Sequence, residues 1–490
     1  MEKDLLKRPR AIMFPYTLQG HVIPFVHLAI KLASKGFTIT FVNTLSIHHQ
    51  ITKSQSAIAG DNIFAEASKS GLDKRYTTIS DGFPMGFDRS LNHDQFMEGL
   101  LHVFSAHVDD LVGRMVHSDP SITCLIADTF FMWPSMIAKK YNLVNVSFWT
   151  EPALVLTLYY HLDLLIKNGH FASQDNREDP VDYIPGVRAI EPKDLMSYIQ
   201  TTENISTVVH RIIYKAFKDV KKADFIVCNT VQELESETIS ALQEKQPIYA
   251  IGPIFPTGFS KNNIIVPTSL WSESDCTDWL HKPHGSVLYV SFGSYSHVSK
   301  QDTVEIAYGL LLSGVSFIWV LRPDVVKSDV PNFLPVRFED DIKGRGLIIP
   351  WCRQIDVISH PAIGGFLSHC GWNSILESIW CNVPFLCFPL LTDQFTNRKL
   401  VVDDWRIGLH LHDKKAVISR EEVVEKIKRV MSGKVAEELR RIIKELRKIL
   451  ENTLNTNGSS ERNLNQFIND VKTRIRKKHG IVAREQFLGP

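Results

Sequence analysis

The chain has 490 residues, with 55 Lys and Arg against 54 Asp and Glu, a formal charge of +1 and 44% hydrophobic residues. That length exceeds one small core and predicts two or three domains, and the charge balance excludes a dedicated basic nucleic-acid binder. No apolar run reaches the ~18–20 residues of a membrane span, and Met1–Arg10 carries no export signal, so the expectation is a cytoplasmic protein with reduced cysteines and no stable membrane insertion.

Ala11–Tyr16 reads as a buried strand, and His21–Lys35 as a helix with apolar positions at Ile23, Val26, Ala29, Ile30 and Ala33. Phe37–Val42 is the next strand, and this strand–helix–strand unit predicts a parallel sheet. Further strands are expected at Cys124–Ala127, Val144–Phe148, Phe225–Cys228 and Ile248–Ile251, with helices such as Phe96–Val112 and Thr207–Val220 between them. The pattern lapses from Gly252 to His284 in a loop-like stretch, then restarts. Strands follow at Val287–Phe292, Ser316–Leu321, Leu347–Ile349, Gly365–Leu367 and Phe385–Phe388, alternating with helices at Asp302–Leu312, Ser374–Cys381 and Gln394–Asp404. Ser419-Arg-Glu-Glu422 has the spacing of a capping box, and helical patterns at Val435–Leu454 and Ser460–Ile475 end the chain.

The fold class is therefore α/β, with two doubly wound, Rossmann-like domains facing a central cleft. The boundaries fall at 1–252 for the first domain, 253–284 for a linker and 285–460 for the second domain. Residues 461–490 are expected to form a C-terminal helix that packs back on the first domain. Ligands of such sheets lie beyond the carboxyl ends of the strands, so the cleft is the expected site.

Chemistry concentrates in residues 351–394. The strand Gly365-Phe-Leu runs into His369-Cys-Gly371, and Asn373 and Ser374 are good N-cap residues for the following helix. A helix N-terminus after a Gly-containing turn presents free N–H groups that suit a diphosphate. Glu377, placed in the first helical turn, offers a carboxylate to ribose hydroxyls, and Trp351 offers a flat face to a base. Asp393 and Gln394 open another helix with the mixed donors and acceptors that a sugar requires. Each feature alone is ordinary: a strand–turn–helix with a capping Ser is common, and a buried Trp is usually core. The order and spacing of all of them carry the reading.

This stretch resembles the signature box of plant family 1 UDP-dependent glycosyltransferases, whose fold is of the GT-B type. Trp351, Gln354, His360, the His-Cys-Gly-Trp-Asn-Ser run, Glu377, Val383-Pro and Asp393-Gln394 stand where the family has them. Two positions depart: Arg353 replaces the usual Pro and Asn382 the usual Gly. The resemblance implies a donor site built from Thr150, Ser294, Trp351, Cys352, Gln354, His369, Trp372, Asn373, Ser374, Glu377, Asp393 and Gln394. Trp372 and Gln394 are the residues that glucose-using members carry, which points to UDP-glucose as co-substrate.

Pro15-Tyr-Thr-Leu-Gln-Gly-His21-Val-Ile-Pro looks like the family's Gln-Gly-His-x-x-Pro loop, in which the His is the general base. His21 follows the first strand at the sheet's carboxyl edge, and an imidazole, with an intrinsic pKa of about 6.5, accepts protons near neutrality. By position alone it could equally cap a helix. Asp128-Thr-Phe-Phe-Met-Trp resembles the segment whose Asp partners that His, although an Asp at a strand end is otherwise a turn or cap residue. His27 has no such support.

The resemblance implies inverting transfer of glucose to a hydroxyl of a small lipophilic acceptor, giving a β-glucoside and UDP. The acceptor is expected in the first domain against Ser80–Pro84 with Phe83, Phe87, His93, Trp149 and Leu158–His161. No cofactor and no metal are expected, since His360, His369, Cys370 and Cys381 fit no zinc spacing, and the protein is expected to be a monomer. Two alternatives stand beside this reading: another UDP-sugar on the same fold, or a non-catalytic nucleotide-binding module, which would have no need of His21 and Asp128.

Overall fold

In the computed structural model, residues 8–54, 62–65, 73–172, 177–200, 207–255, 266–326, 334–412 and 418–480 are described. Residues 256–265 of the expected linker, 481–490 of the expected terminal segment and 1–7 of the N-terminus lie outside them.

The first half builds a sheet from β1 (Arg10–Phe14), β2 (Thr38–Thr44), β3 (Lys74–Ile79), β4 (Ile122–Asp128), β5 (Val144–Trp149), β6 (Phe225–Cys228) and β7 (Ile248–Ala250). Their order is β3-β2-β1-β4-β5-β6-β7, and all pairs are parallel. The second half adds β8 (Val287–Ser291), β9 (Ser316–Val320), β10 (Gly346–Ile349), β11 (Ile363–Ser368), β12 (Phe385–Cys387) and β13 (Gly408–His410). These also pair in parallel, in the order β10-β9-β8-β11-β12-β13. In both sheets the chain winds outward one way from the first strand and then returns to its other side, the doubly wound pattern. The structure thus has the expected α/β, two-sheet architecture.

The central strands are buried along nearly their whole length because helices cover both faces of each sheet. The helix Gln19–Ser34 packs Val22, Phe25, Val26 and Ala29 onto the first sheet. Beside it lies the last helix, Ser459–Lys478, which returns from the second half and contributes Leu464, Phe467, Val471 and Ile475 to the same cluster. Phe467 meets the rings of Tyr249 and Phe225 at 5.5 and 6.1 Å, and Tyr249 donates to Asp470 at 2.6 Å.

Two edge strands, β3 and β13, were not anticipated. β3 reads Lys-Arg-Tyr-Thr-Thr-Ile and β13 spans three residues, so neither has the continuous apolar run of a central strand. The helix expected at Phe96–Val112 is two helices, His93–His102 and Phe104–Ser118, broken at Val103 with no Gly or Pro to mark it. The helix expected at Gln394–Asp404 is α-helical over Gln394–Lys399 and continues as a π-helical turn, Leu400–Asp404. The capping box forms: the Ser419 side chain accepts from the Glu422 backbone, and the Glu422 carboxylate accepts from the Ser419 N–H. Among the described residues no helix is long and apolar enough to cross a membrane.

Candidate active site

A cavity of about 740 Å3 opens between the carboxyl ends of the two sheets. Its walls are the segments that follow β1, β5, β8, β10, β11 and β12. All twelve expected donor residues line it, as does His21.

His21 sits in the first turn of the helix Gln19–Ser34, and its Nδ1 is 2.8 Å from Asp128 Oδ2. Asp128 ends β4, is 1% exposed and does not line the cavity. Its other oxygen accepts the Phe130 backbone N–H at 3.0 Å, so both carboxylate oxygens are occupied. A carboxylate there favours the Nδ1–H tautomer, which leaves Nε2 as the proton acceptor. Thr150 Oγ1 stands 3.1 Å from the same Nδ1, so this hydroxyl of the expected donor set lies at the imidazole.

The segment 351–394 supplies the strand-end loops after β10, β11 and β12 that face the cavity. Trp351 follows β10, packs against Trp271 with ring centroids 4.8 Å apart, and donates its indole N–H to Ser269 Oγ at 3.1 Å. Arg353 has φ −73°, within the range proline imposes, and its guanidinium pairs with Asp356 at 3.2 Å. The backbone at that departure is thus compatible with either residue. Asn382 has φ +57°, the left-handed conformation just past a helix end that glycine favours and asparagine tolerates.

Two expectations within this segment are corrected. The helix is Trp372–Trp380 with Gly371 as its N-cap, so Asn373 and Ser374 lie inside its first turn and do not cap it. Glu377 is beyond that turn. The hydrogen-bond partners explain the placement. Gln354 Nε2 donates to Ser374 Oγ at 2.9 Å and to Glu377 Oε2 at 2.8 Å, which ties the end of one loop to this helix. Burial raises the Glu377 carboxyl to about 7, against the opposing pull of the Gln354 hydrogen bond. Asn373 Nδ2 donates to Gly20 O at 2.7 Å, and Trp372 Nε1 to Asn229 O at 2.7 Å; both bonds join the second half to the first.

His369 lies between two glycines. A Cβ at 293 or at 371 would collide with its Nε2, and Gly293 also has φ +72°. Burial, then the Arg322 charge, lower the His369 pKa to about 4, so the imidazole is neutral rather than a cation. Arg322, not anticipated, is 1% exposed; it donates to Gly293 O and to Ser296 O at 2.9 Å, holding the loop that carries Ser294.

Asp393 precedes the helix Gln394–Lys399 as its N-cap, and burial raises its carboxyl while hydrogen bonds from Thr392 and Asn397 oppose. Gln394 spends its amide internally, accepting from the Leu390 and Leu391 N–H groups at 2.9 Å and donating to Ser296 at 3.0 Å. Cys352 lines the cavity with its thiol 3.5 Å from the Tyr289 hydroxyl.

Of the residues expected around an acceptor, His93 and, from the Leu158–His161 segment, Tyr159 line the cavity. Phe83 and Phe87 stack on each other at 4.4 Å outside it, and Trp149, 1% exposed, is core, donating to Pro152 O at 2.8 Å. Aromatic content drew attention to these residues, but flat apolar rings are equally what a core requires. The rest of the first-half wall is made by Tyr16, Met97, Phe130, Glu151 and Tyr198. Glu151 was legible only as the neighbour of Thr150. Among the described residues no cluster of His, Cys, Asp and Glu is gathered as a metal site.

Residues 278–447 match the family model described as UDP-glucoronosyl and UDP-glucosyl transferase. The chain is 64% identical over 484 residues to UDP-glycosyltransferase 86A1 of Arabidopsis thaliana, covering 98% of this chain and 97% of that one. It is 34% identical to a 7-deoxyloganetin glucosyltransferase of Catharanthus roseus, covering 96% and 98%. Its fold matches Phytolacca americana UGT2 complexed with UDP-2fluoro-glucose and pterostilbene, with a TM-score of 0.75 at 26% identity and 94% and 98% coverage. A conserved fold, a nucleotide-sized cavity at two switch points and full-length similarity converge: the chain belongs to the plant family 1 UDP-glycosyltransferases, enzymes that move a glycosyl group from a UDP-sugar to a small molecule.

Proposed function

We propose that this enzyme transfers glucose from UDP-glucose to a hydroxyl of a small lipophilic acceptor, with inversion, and that His21 is its general base. The carrying observation is the His21–Asp128 pair, whose imidazole faces the cavity that holds the expected donor residues. His21 Nε2 takes the hydroxyl proton, the acceptor oxygen bonds to the anomeric carbon, and the carbon–phosphate oxygen bond breaks with its electron pair leaving on UDP. Asp128 stabilises the imidazolium that forms. The N–H groups that open the helix Trp372–Trp380, with Ser294 and the neutral His369, receive the charge that develops on the diphosphate. A single displacement turns an α-linked donor into a β-glucoside.

Glucose is supported by the resemblance at Trp372 and Gln394. The glucosyltransferase from Catharanthus roseus and the fluoro-glucose bound in the Phytolacca americana structure support it as well. The wall of Tyr16, Met97, Phe130 and Tyr159 supports a lipophilic acceptor. The functional test is incubation with UDP-glucose and a panel of phenolic, flavonoid, lignan and terpenoid alcohols, with products sought one hexose heavier and the anomeric proton coupling read by NMR. β-Products are expected; α-products or equal use of UDP-glucuronate in competition overturn the reading.

A further inference from the structure

Glu151 stands at the end of β5, between Thr150 and the helix Ala153–Tyr160. An acidic residue just before a helix ordinarily serves its N-terminal N–H groups. Here another acid does so: the Glu235 carboxylate accepts from Ala153 N at 2.9 Å and Leu154 N at 2.8 Å, and from the Thr230 hydroxyl. Glu151 is thereby left out of the capping. It is 9% exposed, it lines the cavity, and its Oε2 is buried without a hydrogen-bond partner. A buried carboxyl with an unmade hydrogen bond is costly, and such a group in a ligand cavity is usually completed by the ligand.

We propose that Glu151 selects the acceptor, through a hydrogen bond between its carboxyl and a second oxygen function, hydroxyl or carbonyl, carried beside the hydroxyl that is glycosylated. The inference rests on the cavity being the acceptor and UDP-sugar site described above. The surroundings favour the acceptor as its partner. Glu151 lies near both Asp393 and the tyrosines Tyr159 and Tyr198 of the first-half wall, and the sugar side already has Asp393 and the loop held by Gln394 to meet a sugar. Burial, then the neighbouring carboxyls of Asp393 and Asp128, raise its pKa well above the usual range, which favours the neutral acid. A neutral carboxyl donates through its O–H and accepts through its C=O, and so meets a hydroxyl or a carbonyl equally well.

The test uses the full chain, UDP-glucose, and acceptor pairs that differ only in the second oxygen, such as catechol against phenol and a 2-hydroxyphenyl ketone against the same phenol without the carbonyl. The readout is the ratio of kcat/KM within each pair for wild type, Glu151→Gln and Glu151→Leu, with the Kd for UDP and the thermal midpoint as controls. The wild-type ratio is expected to favour the oxygenated member. Glu151→Leu should cut that ratio by about 30-fold or more, and Glu151→Gln, which keeps a donor and an acceptor, should restore most of it. Leucine fills the buried position without an unpaired polar group, so folding is expected to survive. Equal losses on both members of every pair, or a change confined to KM for UDP-glucose, overturn the proposal, the latter pointing to a sugar contact. A wild type that binds UDP but uses neither member of any pair also overturns it, whereas failure to bind UDP counts against the donor reading itself.

Discussion

His21 Nδ1 lies 2.8 Å from Asp128 Oδ2 although 107 positions separate the two residues. The contact exists because β1 and β4 are neighbours in the sheet and both end at the same edge. The helix that carries His21 starts there, and Asp128 is the last residue of β4.

His21→Ala is expected to lower kcat by about 10²–10⁴-fold, the usual worth of a general base, with the Kd for UDP little changed. Asp128→Asn should lower kcat by a comparable factor, because an amide can hold the wrong imidazole tautomer and cannot stabilise the imidazolium. Steady-state kinetics with UDP titrations decide both. A full-rate His21→Ala would remove the base assignment.

Glu377 is expected to link donor binding to pH. Burial raises its carboxyl to about 7, and a hydroxyl donor such as those of ribose bonds more strongly to an ionised carboxylate. UDP affinity is therefore expected to rise as pH rises through about 7, with proton release measurable by calorimetry in buffers of different ionisation enthalpy. Glu377→Gln should abolish that part of the pH dependence and weaken UDP by about tenfold or more. The stability consequence has the opposite sense. Between the ordinary glutamate value of 4.5 and about 7 the native protein holds this proton and the unfolded chain does not, so the group's contribution to stability falls as pH rises through that window.

Trp351 lines the cavity with Trp271 packed against its ring and its indole N–H held by Ser269. Aromatic stacking on a base contributes about 1–3 kcal/mol by alanine substitution, so Trp351→Ala should weaken UDP by about 5–150-fold. Trp351→Phe should recover part of the loss. Fluorescence or calorimetric titration with UDP measures it, and unchanged affinity would place the base elsewhere.

Phe467 is 1% exposed in the last helix and reaches back to the first sheet. Phe467→Ala should destabilise by about 3–5 kcal/mol, the range for a buried phenylalanine. Chemical unfolding should show the loss in the transition that reports the first sheet. An unchanged transition would mean that this helix is dispensable to that core.

Much of the architecture was legible because central parallel strands bury both faces and so read as continuous apolar runs. β1, β4, β5, β8 and β11 fall within a few residues of their expected bounds. The edges were not legible: β3 is rich in polar residues, β13 is short, and the break at Val103 lies in an unbroken helical pattern. The expected cap at Asn373–Ser374 failed because a good capping residue is also tolerated in the first turn, and Gly371 took the cap position.

The sequence by itself determined the resemblance to the family, much of the order of the elements and the donor-box residues that gather at the cavity, because a motif spaced along strand ends is carried by local chain geometry. Only the tertiary structure decided how those side chains are spent. It put Thr150 at the imidazole, committed Gln354 to Glu377 and Ser374, and committed Gln394 to its own loop. It also moved Phe83, Phe87 and Trp149 out of the cavity and brought Glu151 into it. Burial and hydrogen-bond partnership depend on contacts between distant segments, and no periodicity along one segment encodes them.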